Sequence, residues 1–373
     1  MKMLSVCRRS TKLPLKLLLA ACTLSVSAAA AQESRPLAPL PTMKSPDAAQ
    51  VALGRQLFFD PRLSGDATIS CATCHNPDHG WADGLPMSKG YPGSLYFRNT
   101  PTVMNASLNR YVYWDGRLPA SDMPTVVRDH ISEGHFMQAD GRLVIERMRQ
   151  IPEYEAAFKS TFGGEPTYGR ILNSVAAYVK SMNSQDVPFD KFLKGDKAAL
   201  SEAAQRGLEL FEGKAGCLQC HNGAMLSDGE FHSLGLEANR GIFTDPERHI
   251  TFRRFFRTLG VPRYEHLQND IGVCCVTKAD DDREQMRTPT LREVSNTAPY
   301  MHDGQLATLN DVVAFYNSGG GPRDTKDKRL KPLGLSEEEQ GDLVEFLKSL
   351  SGKPADGSRP ELPKYQLRTL GEN

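Results

Sequence analysis
A chain of 373 residues is longer than one ordinary hydrophobic core serves and suits two compact domains. Hydrophobic residues at 39% and charged residues at 24% are the balance of an ordinary soluble globular protein. Basic and acidic residues cancel at 45 each, and without the first 31 residues the formal charge is −5, which leaves no basic footprint for nucleic acid and favours a partner with a basic docking face.

The chain opens as a secretory signal. Lys2, Arg8, Arg9, Lys12 and Lys16 precede the apolar run Leu17 to Val26, and Ala28 to Ala31 supply the small residues for cleavage after Ala31. The run Leu19-Ala20-Ala21-Cys22 offers an alternative, a lipid anchor on Cys22. No later segment approaches the about 18 apolar residues needed to span a bilayer. Ser45 and Pro46 start a predicted helix that runs to about Phe58. Cys71-Ala72-Thr73-Cys74-His75 follows it. Gly and Pro scattered through 83–103 predict a loop. A second helix is expected over Tyr168 to Met182, with Ile171, Val175, Tyr178 and Met182 on one face. Asn183 to Lys197 reads as a connection between domains. Ser201 caps a helix that leads to Cys217-Leu218-Gln219-Cys220-His221. Cys274 and Cys275 read as two free or mutually bonded thiols on a loop. The stretch 317–335 is loop. Ser336 with Glu339 forms a capping box ahead of Leu343, Phe346, Leu347 and Leu350. From Gly352 onward the chain reads as a tail.

The halves repeat. Leu53-Gly54-Arg55-Gln56-Leu57-Phe58 is answered by Arg206-Gly207-Leu208-Glu209-Leu210-Phe211. Thr100-Pro101-Thr102 recurs as Thr288-Pro289-Thr290, and Asp115-Gly116 as Asp303-Gly304. Ordered landmarks at near-fixed spacing indicate a duplicated unit.

The two Cys-x-x-Cys-His motifs carry the chemistry. Two thiols three positions apart can each add to one vinyl group of a porphyrin, and the next residue, His, is then placed to ligate the iron. A bare Cys-x-x-Cys could be a zinc knuckle or a redox dithiol; the following His selects haem. Two motifs at matching places in an exported repeat predict two covalent c-type haems, with His75 and His221 as axial ligands. The opposite faces decide the chemistry: an iron with two strong protein ligands passes electrons, and an open one can bind peroxide.

Taken together, the landmarks resemble the bacterial di-haem cytochrome c peroxidase and MauG superfamily. They are Leu53 to Ser64 ahead of Cys71, Arg98-Asn99-Thr100-Pro101-Thr102, Trp114-Asp115-Gly116-Arg117, Arg287-Thr288-Pro289-Thr290 and Ala298 to Gly304. The likeness covers about residues 46 to 351. It implies an all-α fold of two tandem cytochrome c-like domains, over 46–185 with a peroxidatic haem and 200–351 with an electron-transfer haem, followed by a tail at 352–373. It implies that Trp114 relays electrons between the haems, although a buried Trp can simply be core. It further implies a calcium ion held by the Asn99 side chain and the Thr297 and Pro299 carbonyls; Asn99 could instead cap a turn.

Departures from the family pattern point to the MauG branch. The peroxidases carry a distal His 16 residues past the first proximal His; here Tyr91 stands there, which leaves the first iron's distal face open. The second haem's distal ligand is Met in the peroxidases and Tyr in MauG. Tyr316 falls at that position, with Met301 as the alternative. A phenolate favours ferric and higher-valent iron. The acid–base residue over the first haem falls to Glu133 or His135, either of which could equally be a solvated loop residue. The expected function is a periplasmic oxidoreductase that uses hydrogen peroxide to oxidise a residue, Trp foremost, of a secreted partner protein through a high-valent di-haem state. Two alternatives stand beside it. One is a peroxidase that reduces hydrogen peroxide with electrons from a small periplasmic donor, a cytochrome or copper protein. The other is an electron-transfer cytochrome without enzymatic activity.

Overall fold
Helices form where apolar residues recur at helical spacing behind a side-chain cap, and two of their crossings set the architecture. The computed structural model describes residues 35–353 and 355–365. The expected leader at 1–31 and the anchor alternative at Cys22 lie outside them.

In the first half, α1 (Ala48–Phe59), α2 (Met123–Ser132), α3 (Gly141–Arg149), α4 (Pro152–Phe162) and α5 (Tyr168–Ser181) enclose a core that includes Leu57, Phe58, Ile131, Met148 and Val175. The cap of α1 is Asp47 and not Ser45: its carboxylate accepts from the Gln50 N–H at 2.9 Å, so Pro46 lies outside the helix. Gly54 brings α1 against α5; a Cβ there would lie 1.9 Å from the Ser174 carbonyl oxygen. The expected connection at 183–197 contains α6 (Pro188–Leu193), whose Phe189 is buried. Asp190 on α6 receives Arg292 Nη1 at 2.6 Å, so this stretch is packed structure rather than a linker.

The second half repeats the crossing. Ser201 caps α7 (Glu202–Glu212) as expected. Next come α8 (Pro246–Thr258), α9 (Leu309–Asn317) and α10 (Glu337–Lys348), the last started by the Ser336–Glu339 capping box. Gly207 seats α7 on α10 as Gly54 seats α1; its Cβ would lie 2.0 Å from the Asp342 carbonyl oxygen. Helix α8 is an addition that the sequence reading did not mark. It buries Phe252, Phe255 and Phe256 against Tyr96 and Phe97 of the first half, forming a third apolar cluster.

The chain is mostly helical, but two short antiparallel pairs depart from the all-α expectation. Strand β1 (Tyr111–Val112) pairs with β2 (Leu118–Pro119), and β3 (Phe231–His232) with β4 (Met286–Arg287). Two-residue strands are too short to show alternation in a sequence. The first pair presents Trp114-Asp115-Gly116-Arg117 at its turn.

The terminal segments cross. Arg35 donates to the Asn222 side chain at 3.3 Å and the Ser227 carbonyl at 3.1 Å, and Arg292 donates to the Ala38 carbonyl at 3.1 Å, all on the second half. The expected tail instead lies on the first half: Arg55 meets Asp356 at 2.9 Å and Arg62 Nη1 donates to the Pro363 carbonyl at 2.8 Å. Among the described residues no helix is long and apolar enough to cross a membrane.

Candidate functional site
Ser70 starts a single helical turn, Cys71–Cys74, with its N–H donating to Thr73 Oγ1 at 3.0 Å. The turn ends on His75, whose Nδ1 lies 3.2 Å from the Trp81 carbonyl oxygen. A carbonyl only accepts, so Nδ1 carries the hydrogen and Nε2 keeps the lone pair that a metal takes. The second motif repeats this: His221 Nδ1 lies 2.9 Å from the Leu226 carbonyl oxygen.

All four motif thiols are free. Burial pushes Cys71 up to about 12, with Cys74 adding to it, and burial likewise pushes Cys217 up to about 12. A redox dithiol works through a readily formed thiolate, which burial disfavours here. Beside Cys217, Cys220 and His221 opens a cavity of about 530 Å³ with Val313, Tyr316 and Leu347 among its walls. Its volume lies in the range of small-molecule and cofactor pockets, about 300–1,000 Å³. Paired thiols, an oriented imidazole and an apolar cavity fit a covalent haem. Cys220, Asp228 and His232 could also be read as a metal-ion site, since their ligand atoms lie within 4.8 Å of one another. A thioether at Cys220 removes the thiolate such a site would use.

Tyr316 comes from α9, and its half-buried ring lines this cavity. Burial raises its phenol well above the ordinary range, and the nearby thiols of Cys217 and Cys220 add to that. Met301 lines the same cavity.

Trp114 borders the cavity too. Its Nε1 donates to the Asn99 carbonyl at 2.9 Å, and its ring centre is 6.4 Å from that of His302. The Asn99 N–H in turn donates to the His302 carbonyl at 2.7 Å, so this tryptophan stands where the halves are hydrogen-bonded together. Beside it lies a buried charge network. Arg98 donates to Asp115 at 2.6 Å and to Asp270 at 2.6 and 2.9 Å, and Arg117 pairs with Asp115 at 3.1 Å. Burial works to raise Asp115, but Arg117 and Arg98 outweigh it and hold it at about 2. Cys275 Sγ lies 3.8 Å from Asp115 Oδ2. Cys274 and Cys275 are free and buried on a single helical turn, Cys274–Thr277, rather than on a loop.

Asn99, Thr297 and Pro299 also line the cavity. The Asn99 amide nitrogen donates to the Leu85 carbonyl at 2.9 Å and the Pro299 carbonyl at 3.3 Å. The Asn99 amide nitrogen and the Pro299 carbonyl thus engage each other, and the predicted ligands carry no charge. Calcium would require the amide to turn its oxygen inward.

Glu133 and His135 find each other: His135 Nε2 is 3.0 Å from Glu133 Oε2. Burial works to raise Glu133, but His135 and Arg117 outweigh it and its carboxyl sits low. The His135 ring is stacked on Tyr96, with centres 4.9 Å apart. Tyr91 packs against the first core near Gly65 and Asp66. The residue that sequence reading missed is His130. Its ring centre lies 6.1 Å from that of His75, and Phe136 stacks on it at 4.5 Å while touching His135 at 4.2 Å. Burial, with His75 beside it, pushes His130 down to about 4, so it is a neutral imidazole. A position one turn past Val126, on the helix's apolar side, was the available signal, and it does not separate a ligand from a core histidine.

The model of the family described as di-haem cytochrome c peroxidase matches residues 48–198. A cytochrome-c peroxidase IdrP2 of Denitromonas iodatirespirans is 45% identical over 345 residues, 92% of this chain and 93% of the relative. The methylamine utilization protein MauG of Methylorubrum extorquens is 36% identical over 320 residues, 84% of this chain and 81% of the relative. Among solved structures, a MauG-like protein associated with microbial copper homeostasis is similar with a TM-score of 0.72 at 27% identity, over 88% of this chain and 97% of that one.

Proposed function
The chain belongs to the di-haem cytochrome c peroxidase family, and from that premise we propose that it is an exported, MauG-like oxidase that spends hydrogen peroxide on a residue, Trp foremost, of a secreted partner protein. The observation that carries this reading is Tyr316 in the wall of the His221 cavity. When bound, the two haems supply the redox chemistry of peroxide. The protein supplies orientation and charge. His75 and His221 are each held by a backbone carbonyl, with Nε2 free for iron. Tyr316 would be the hard ligand of the second iron: burial opposes its ionisation, and an adjacent cation is what would reverse that. Trp114 is the aromatic side chain we place in the electron path between the halves. Glu133 Oε2 and His135 Nε2, 3.0 Å apart, are the pair we place to handle protons near the first site. A calcium ion at Asn99, Thr297 and Pro299 belongs to the same proposal, as a weak site completed by water.

The deciding experiment is the near-infrared spectrum of the ferric holoprotein. Tyr316 ligation predicts no Met-to-iron band, and Tyr316→His should alter the absorbance of one haem only. If the resting protein shows that band and Met301→Ala removes it, Met301 is the ligand. The protein is then a peroxidase fed by a small periplasmic electron donor, a reading favoured by Met301 lining the same cavity.

Trp114→Phe tests the relay. The substitution keeps one aromatic ring and removes the rest of the indole with its N–H to Asn99. Both haem spectra should survive, while peroxide-driven turnover falls by about tenfold or more, at least about 1.4 kcal/mol of barrier. Turnover within twofold of wild type would return Trp114 to a packing role.

A further inference from the structure
His130 on α2 is clamped. Its Nδ1 lies 2.8 Å from the Val126 carbonyl oxygen and 3.1 Å from the Tyr113 hydroxyl. The Tyr113 ring stacks on it at 5.3 Å and 11°, and the Phe136 ring at 4.5 Å and 12°. As with His75, the carbonyl fixes the hydrogen on Nδ1 and leaves the lone pair on Nε2. Two backbone-oriented imidazoles thus stand 6.1 Å apart between ring centres, their planes at 55°. Imidazoles on opposite sides of one metal, each at a bond length of about 2 Å, hold their ring centres about 6 Å apart. The two planes can take any mutual angle, because each ring turns freely about its own metal–nitrogen bond.

We propose that His130 is the distal ligand of the first haem iron, opposite His75, so that this iron is six-coordinate at rest. The inference rests on the two-haem reading and goes beyond it. Other candidates near the site are engaged elsewhere. Tyr91 packs by Gly65 and Asp66. Glu133 and His135 hold each other, and Phe136 touches both His135 and His130. Met137 Sδ lies 4.0 Å from Cys71 Sγ, against the thiol that becomes the porphyrin's covalent edge rather than against His75. The sequence alone reads the distal face as open because Tyr91 stands at the family's histidine position; the fold brings a histidine from a helix 55 residues past His75 instead. Peroxide then gains the iron only when His130 withdraws.

The test is the spin state of the as-isolated ferric holoprotein, read by low-temperature electron paramagnetic resonance and by absorbance. A pyridine haemochrome assay first establishes two haems per chain. A count of one defeats the two-haem reading itself and is distinguishable from any spin-state result. The expected wild-type spectrum is low-spin at both haems. His130→Gly should turn one haem high-spin and leave the other unchanged, and added imidazole should restore the low-spin signal. His130→Gln, which keeps side-chain bulk on α2, should give the same loss where glycine disturbs the helix. A high-spin first haem in the wild type overturns the proposal, whatever the variants do. So does a low-spin spectrum that persists in the variants.

Discussion
Replacing Arg98 by methionine is expected to cost about 3–5 kcal/mol of stability at neutral pH, the usual result of removing one partner from a buried ion pair. Arg98 is 1% exposed and stands between two carboxylates that are themselves buried, Asp115 and Asp270. Methionine retains much of the packing against Phe97 and Phe255, whose ring centres lie 5.2 and 5.1 Å from the guanidinium carbon. What it removes is charge. Asp115 keeps Arg117, but Asp270 loses its paired cation. The pH dependence fixes the sign. Both folded carboxyls sit below their ordinary range, Asp115 at about 2. Their contribution is therefore complete above the unfolded value of about 4 and lost as pH falls through the folded one. In the variant the unpaired Asp270 takes up a proton more readily, so the deficit should be largest near neutrality and narrow in acid. Denaturant melts of wild type and variant at neutral and mildly acidic pH measure this. A deficit independent of pH would mean that packing, not charge, was lost.

Gly54→Ala and Gly207→Ala should each destabilise the protein, although alanine favours an isolated helix by about 1 kcal/mol. At both positions the new methyl would meet a backbone carbonyl oxygen, at 1.9 Å in α1 and 2.0 Å in α7. The crossing helices would have to separate, and overpacking of that kind costs about 1–3 kcal/mol or more. Gly341 is the control. It lies exposed on α10 with nothing within 4 Å of its Cβ position, so Gly341→Ala should gain stability by helix propensity alone. Thermal melts that ranked the three substitutions alike would remove the close crossing as the reason for the repeated glycine.

Those glycines show what the sequence discloses. The repeat, the two Cys-x-x-Cys-His motifs and the caps at Ser201 and Ser336 are local signals, and the capped helices begin where expected. Asp245-Pro246 followed by Phe252, Phe255 and Phe256 was a readable start and stripe for α8, yet its partners Tyr96 and Phe97 are far away in sequence. Arg98 and Asp270 are 172 positions apart, and no spacing rule joins them. His130 looked like any histidine on a buried helical face beside Val126, Val127 and Ile131 until folding set it near His75. Glu133 and His135 were expected as alternatives for one role, and the structure makes them a pair.

The crossed terminal segments make folding order a matter of chain logistics. Residues 35–40 close on Asp190 and Arg292, and Arg55 reaches 301 positions to Asp356. Neither half can recruit its own clasp from nearby sequence. The first half therefore lacks its outer strap until residues 356–363 reach it. Each exposed link is weak on its own. Together they make a segment 301 positions downstream a seal on the first half, and couple completion of that half to the folding of the other.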